Sequence, residues 1–162
     1  MSVYRNALMQ AGSPTRVATG YTLWSWGTFR NGLSGLGSDT AYSSPVQVGD
    51  LNDWTPMICT DAWSTHAIKS DGTLWAWETG NVLGDGHGGA EHESSPIQIG
   101  SATNWYGVFA NSYGIQSYAI NTDGELWVWG TNNSYGSLGT NNTTSYSSMV
   151  QLAGTTWAAI GG

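Results

Sequence analysis

Charge is what this chain has least of. Only four of its 162 residues are cationic, Arg5, Arg16, Arg30 and Lys69, and the formal net charge is −7. Binding nucleic acid takes a clustered basic surface that neutralises phosphates, and none can be assembled from these four, so no nucleic-acid partner is expected. An anionic membrane surface is disfavoured for the same reason. Cysteine is nearly as scarce. Cys59 stands alone, so no disulfide can close within the chain, and its expected role is that of a small packed apolar residue. No run approaches the ~20 apolar residues of a membrane-spanning helix. The start, Met1-Ser2-Val3-Tyr4-Arg5-Asn6, lacks the apolar stretch of a secretory signal, so synthesis in a cytoplasm is expected. Sequons such as Asn132-Asn133-Ser134 then read as loop chemistry. Phosphate-cradling and dinucleotide-binding glycine motifs are missing too, and three histidines build no Ser-His-Asp arrangement. The expectation is a non-enzyme without a cofactor.

What the chain does have is tryptophan and glycine, ten and 23 residues. The tryptophans are periodic. Leu23-Trp24-Ser25-Trp26, Leu74-Trp75-Ala76-Trp77 and Leu126-Trp127-Val128-Trp129 share a Leu-Trp-x-Trp core, and the leucines lie 74 − 23 = 51 and 126 − 74 = 52 residues apart. A fixed period near 50 marks one supersecondary unit used repeatedly, because a single copy cannot bury its apolar face alone. Two large aromatics at spacing two suit a strand, with both indoles on one face and Leu on the other. Leu23, Trp26, Leu74, Trp77, Leu126 and Trp129 are therefore the expected core of the repeat. Trp24, Trp75 and Trp127 are the candidate binding aromatics.

The rest of the unit repeats as well. Ser43-Ser44-Pro45-Val46-Gln47-Val48 matches Ser94-Ser95-Pro96-Ile97-Gln98-Ile99 and Ser147-Ser148-Met149-Val150-Gln151-Leu152, and a lone Trp54, Trp105 or Trp157 follows each. Proline at the head of such a segment fits an edge strand, where no ladder N–H is lost. Asp71-Gly72 and Asp123-Gly124 sit between apolar runs and read as two-residue type I′ hairpin turns. Glycine-rich loops follow each Trp strand, each with a leucine expected to pin it: Leu33 and Leu36, Leu83, and Leu138. Four short strands per period of about 51 residues is the pattern of a propeller blade. The expected fold is all-β. Residues 1–20 form an N-terminal arm, and residues 21–162 a domain of three four-stranded blades near 21–60, 61–110 and 111–162. Three blades are few for closure, so a partial propeller or a ring closed by oligomerisation is expected, with residues 155–161 completing the first blade of a neighbouring copy.

The sequence Asp123-Gly124-Glu125-Leu126-Trp127-Val128-Trp129-Gly130, then Asn132 to Gly139, together with Ser-Pro-Val-Gln-Val, resembles the regulator of chromosome condensation repeat. The resemblance covers about residues 21–162 and implies β-propeller blades. Glu78 departs from the pattern, which has Gly there. The Trp-rich flavour looks more like the repeat proteins of bacteria and tailed phages than the eukaryotic chromatin protein. No loop motif supports carrying over nucleotide-exchange activity.

Asp85-Gly86-His87-Gly88-Gly89-Ala90-Glu91-His92-Glu93 is the densest polar cluster. A solvated loop is the favoured reading, and His87, Glu91 and His92 are the alternative metal set. His66, in a strand, reads as a hydrogen-bonded buried histidine. The expected function is a structural or surface component of a virus particle, of a tailed phage, that interacts with copies of itself or other virion proteins. The alternative is a carbohydrate- or receptor-binding adhesin, in which exposed indoles stack on sugars.

Overall fold

The computed structural model describes residues 20–27, 33–61, 63–79, 83–88, 92–111 and 115–160. The expected N-terminal arm, Gly20 apart, lies outside them. Every regular element among the described residues is a strand. Strands β3 (Trp54–Thr60), β4 (Ser64–Lys69), β5 (Leu74–Thr79) and β6 (His92–Gln98) form one antiparallel meander. Strands β7 (Trp105–Ala110), β8 (Gln116–Asn121), β9 (Leu126–Gly130) and β10 (Tyr146–Gln151) form a second of the same order. Ahead of them, β1 (Leu23–Gly27) and β2 (Tyr42–Val48) pair as a two-stranded sheet equivalent to β5–β6 and β9–β10.

The repeat is therefore real, but its phase differs from the expected one. Each full blade opens on the lone tryptophan, at Trp54 or Trp105, and the Leu-Trp-x-Trp segment is its third strand. The boundaries near 61 and 111 are corrected accordingly. The Ser-Ser-Pro segments form the outermost strands, as proline requires, since an edge strand can omit a donor.

Side-chain alternation builds the core. On β5, Leu74 and Ala76 face the second blade and join Ile68, Ile99, Trp105, Val108, Ala119 and Trp129 in one apolar layer. Trp75 and Trp77 point the other way and meet Trp54, Ala67 and Leu23 against the two-stranded sheet. Small residues oppose the indoles across the ladder: Ala67 pairs with Trp75 and Ala119 with Trp127, leaving the large ring room to lie over its neighbour. On β9, Leu126 and Val128 form a further layer with Ile120 and Leu138, edged by Leu152 and Ile160.

The Asp-Gly turns differ from the expected type. Gly72 donates to the Lys69 carbonyl and Lys69 to the Thr73 carbonyl; Gly124 and Asn121 repeat the pair with Asn121 and Glu125. Gly72 and Gly124 have φ of 88° and 75°, and neither aspartate is left-handed. These are type I turns closed by a glycine bulge, in which only the glycine needs positive φ. Asp71 uses its carboxylate instead, accepting from the Thr73 N–H and hydroxyl at 3.0 and 2.7 Å.

Consecutive units are stitched in one way. The backbone N–H of each lone tryptophan donates to the turn of the preceding unit: Trp54 to Tyr21 O, Trp105 to Gly72 O and Trp157 to Gly124 O. Residues 156–160 form no strand with the described residues of this chain, and Trp157 alone repeats the stitch.

A second joint matters more. Trp77 (2% exposed) and Trp129 (0%) lie over Gly35 and Gly84 in the loop of the preceding unit. A Cβ at either glycine would sit 2.9 Å from the indole nitrogen. The Trp77 N–H donates to the Leu33 carbonyl at 3.1 Å. Trp26, the equivalent residue on β1, is 58% exposed. Its expected place in the core is corrected, because among the described residues no sheet precedes β1 to receive it.

Candidate interaction surface

The three candidate binding indoles do not form an open row. Trp24 is 48% exposed. Trp75 is covered: the Lys69 ammonium lies 4.1 Å from its ring centre, and Trp54 meets it edge-on at 6.3 Å. Its N–H donates to Thr73 Oγ1 at 2.7 Å, and Lys69 is held in turn by Asp53 at 3.0 Å. Trp127 packs on Trp105, with centroids 6.2 Å apart. Stacking on sugar needs a clear ring face, and of the three only Trp24 keeps one in the open.

The polar loop is dispersed. His87 is exposed and pairs with Asp85 through Nδ1 at 3.1 Å, and its backbone N–H donates to the same carboxylate at 2.9 Å. His92 is exposed at the head of β6, and Glu91 falls outside the described residues. No three His, Cys, Asp or Glu converge among the described residues. His66 is fully buried, with Ser64 Oγ 3.4 Å from Nδ1 and the Trp129 ring 5.3 Å away edge-on. Cys59 lies on β3 opposite His66. Burial, with the Asp61 carboxylate nearby, pushes its thiol from 9.0 up to about 12, which leaves it protonated and unreactive at neutral pH.

The loop after β9, expected only to be pinned by Leu138, is held by a network of buried side chains. Asn132 is 6% exposed, and its side chain ties the loop together. It accepts from the Leu138 N–H at 3.1 Å and donates to Thr140 Oγ1 and the Asn142 carbonyl at 3.2 and 2.8 Å. Gln116, also buried, bonds Thr131 O at 2.9 Å and reaches Ser137 Oγ. Asn133 Oδ1 accepts from the Tyr135 N–H at 3.0 Å, and Gly136 closes the turn onto the Asn133 carbonyl. On this fixed frame Tyr135 is 93% exposed, beside a shallow basin of about 470 Å³ that reaches Asn141 and Thr143. The signal was in the sequence as Asn-Asn-Ser-Tyr-Gly, an aromatic between turn residues.

No family model matches the chain. Curated relatives do. The human E3 ubiquitin-protein ligase HERC2 is 27% identical over 124 residues, 75% of this chain and 2% of that protein. The Arabidopsis thaliana RCC1 domain-containing mitochondrial protein RUG3 is 28% identical over 109 residues, 67% of this chain and 24% of its own length. The ultraviolet-B receptor UVR8 of the same plant is 26% identical over 131 residues, 80% and 30%. The chain thus spans less than a third of each. Among solved structures, Prp20p from Saccharomyces cerevisiae superposes with a TM-score of 0.63 at 17% identity, covering 83% of this chain and 34% of that one. Human WBSCR16 gives 0.59 at 19% identity, covering 84% and 34%. Relatives in sequence and neighbours in structure support the same reading: the chain carries RCC1-like repeats, folded as blades of a β-propeller.

Proposed function

We propose that this chain is a non-catalytic protein-interaction module whose contact surface includes the loop that presents Tyr135. The observation that carries the reading is a fully exposed tyrosine on a loop already fixed by the buried side chains of Asn132 and Gln116. Binding orders side chains and loops at a cost, and a loop fixed beforehand avoids most of it. Tyrosine adds a large, rigid, amphipathic contact. The net charge of −7 favours a partner with a basic face through faster, salt-sensitive encounter. Prp20p, a structural neighbour, has been studied for its binding to Gsp1p and histones, which is in keeping with protein partners for such blades. The expected place in a virus particle gains no support from relatives in human, mouse and Arabidopsis. The glycan alternative now rests on Trp24 alone among its three indoles.

Parallel affinity capture with the parent chain and Tyr135→Ala tests the reading, followed by titration of whichever protein differs. A partner retained by the parent, weakened at least tenfold by Tyr135→Ala and further weakened by salt supports it. Identical capture by both chains, across the whole set of bound proteins, overturns it.

A further inference from the structure

Each four-stranded blade carries an edge-on indole pair beside its Asp-Gly turn, and the two pairs differ in what lies over them. In blade β3–β6 the rings of Trp54 and Trp75 are 6.3 Å apart at 79°. Lys69, opposite Trp54 in the ladder, sets its ammonium 4.1 Å from the centre of the Trp75 ring and 4.9 Å from that of Trp54. Asp53 pairs with it at 3.0 Å. In blade β7–β10 Trp105 and Trp127 repeat the pair at 6.2 Å and 82°. The residue opposite Trp105 is Asn121, and Asn104 stands at the place of Asp53. Asn121 is shorter, neutral and engaged in its own turn, where its Oδ1 accepts from the Asp123 and Glu125 N–H groups at 3.1 and 2.9 Å. Negative charge is gained at the same place, because Glu125 replaces Thr73 two residues before the first indole. Glu125 accepts from Asn121 Nδ2 at 2.7 Å and Asp123 from Asn104 Nδ2 at 2.9 Å. Among the described residues no cationic side chain pairs with either carboxylate.

We propose that the Trp105–Trp127 pair receives the side chain of a lysine from a protein partner, with Glu125 and Asp123 as its counter-charges. The occupant is a lysine because the chain itself shows how this ring arrangement takes one. An ammonium is drawn to the face of an indole, and its apolar stem lies along the rings while the head keeps a charged neighbour. Lys69 meets both conditions over Trp54 and Trp75, and in blade β7–β10 the acids are present without the base. An edge-on neighbour that denies the ring to a sugar leaves room for an ammonium, as Trp75 demonstrates. The pair belongs to the joint between the two blades, in one apolar layer with Ile68, Leu74 and Ile99. The net charge of −7 adds long-range attraction for a basic partner. Glu125 precedes β9 and the Tyr135 loop follows it, so the two contacts lie at opposite ends of that strand. The inference shares with the Tyr135 reading only its expectation of a protein partner.

Indole resonances in a nitrogen-15 spectrum, followed while the full chain is titrated, test this. The probe is Nα-acetyl-lysine methylamide, which carries the ammonium and no other charge. Trp105 and Trp127 are expected to shift to saturation, while Trp54 and Trp75, already served by Lys69, stay where they are. The same compound acetylated on its side-chain nitrogen is expected to move none of them. Ammonium chloride is expected to give no saturating change, because it lacks the apolar stem. Glu125→Gln keeps an acceptor for Asn121 and removes the charge. Combined with Asp123→Asn it is expected to weaken the probe about fivefold, as the loss of two partly exposed charge pairs implies. Trp77 and Trp129, buried in the core, report in the same spectrum that the variant is folded. No saturating shift at Trp127 up to the solubility limit of the probe overturns the proposal. So does an equal response to the acetylated compound or to ammonium chloride, a matching shift at Trp75, or unchanged affinity in the doubly neutralised chain. The titration involves no contact at Tyr135, so its failure and that of the Tyr135 reading are separate results.

Discussion

Gly84 and Gly139 share a backbone conformation and differ in what lies above them, which makes them a matched pair for weighing the blade joint. Replacing either by alanine puts a Cβ on left-handed backbone, with φ of 87° and 71°. That alone costs about 1–2 kcal/mol. At Gly84 the added carbon also lies 2.9, 3.0 and 3.1 Å from three atoms of the Trp129 indole, which is fully buried and cannot swing aside. Overpacking of this kind costs a further 1–3 kcal/mol or so. Gly84→Ala should therefore lose roughly 2–5 kcal/mol, and Gly139→Ala only the backbone share of about 1–2 kcal/mol. Urea unfolding followed by tryptophan fluorescence reads both. Comparison of midpoints at equal slope isolates stability from changes in the unfolded ensemble. Equal losses at the two glycines would refute the reasoning, because they would mean that Trp129 does not bear on Gly84.

Trp77→Ala should cost about 3–5 kcal/mol, as for other large core aromatics, while Trp26→Ala should cost under about 1 kcal/mol; denaturant titration of both checks the contrast. Asp123→Pro should lower the melting temperature, by about 2–4 °C per kcal/mol lost. Proline is poorly placed at the third position of a type I turn, and it removes the N–H that donates to Asn121 Oδ1 at 3.1 Å; a parent-like melting curve would contradict the turn geometry. The Cys59 thiol should resist alkylation until the chain unfolds. Its folded pKa is raised from 9.0 to about 12, so the folded state keeps a proton that the unfolded state releases, and stability falls as pH rises from about 9 toward 12. Cys59→Ala should flatten that alkaline decline in melting temperature measured against pH.

Much of this architecture is written in spacing. The period of 51 and 52 residues and the two-residue step between indoles decide the strand, its faces and the blade, because a pleated strand admits only one arrangement of alternate side chains. Phase is less visible. The most conspicuous motif is the third strand of a blade, so counting from Leu23, Leu74 and Leu126 misplaces the boundary that the backbone stitch at Trp54 and Trp105 defines. The loops mislead for a related reason. Matching leucine-glycine pairs aligns Leu36 with Leu83 and Leu138, whereas burial and φ align Ser34 and Gly35 with Leu83 and Gly84, since the loops differ in length. Trp26 reads like Trp77 in sequence, and its exposure follows from which sheet precedes it, a property of the stack rather than of the motif. The hold of Asn132 on the Tyr135 loop was legible only as a cluster of turn residues; its hydrogen bonds span up to ten positions.

Exchange of the indole N–H protons with deuterium, followed site by site in a nitrogen-15 spectrum, tests most directly whether the blades are joined by tryptophan seated over glycine. The Trp77 proton, buried and bonded to the Leu33 carbonyl, should exchange only through large-scale opening, while the Trp26 proton exchanges at the rate of a free indole. Comparable exchange at the two sites would contradict the account.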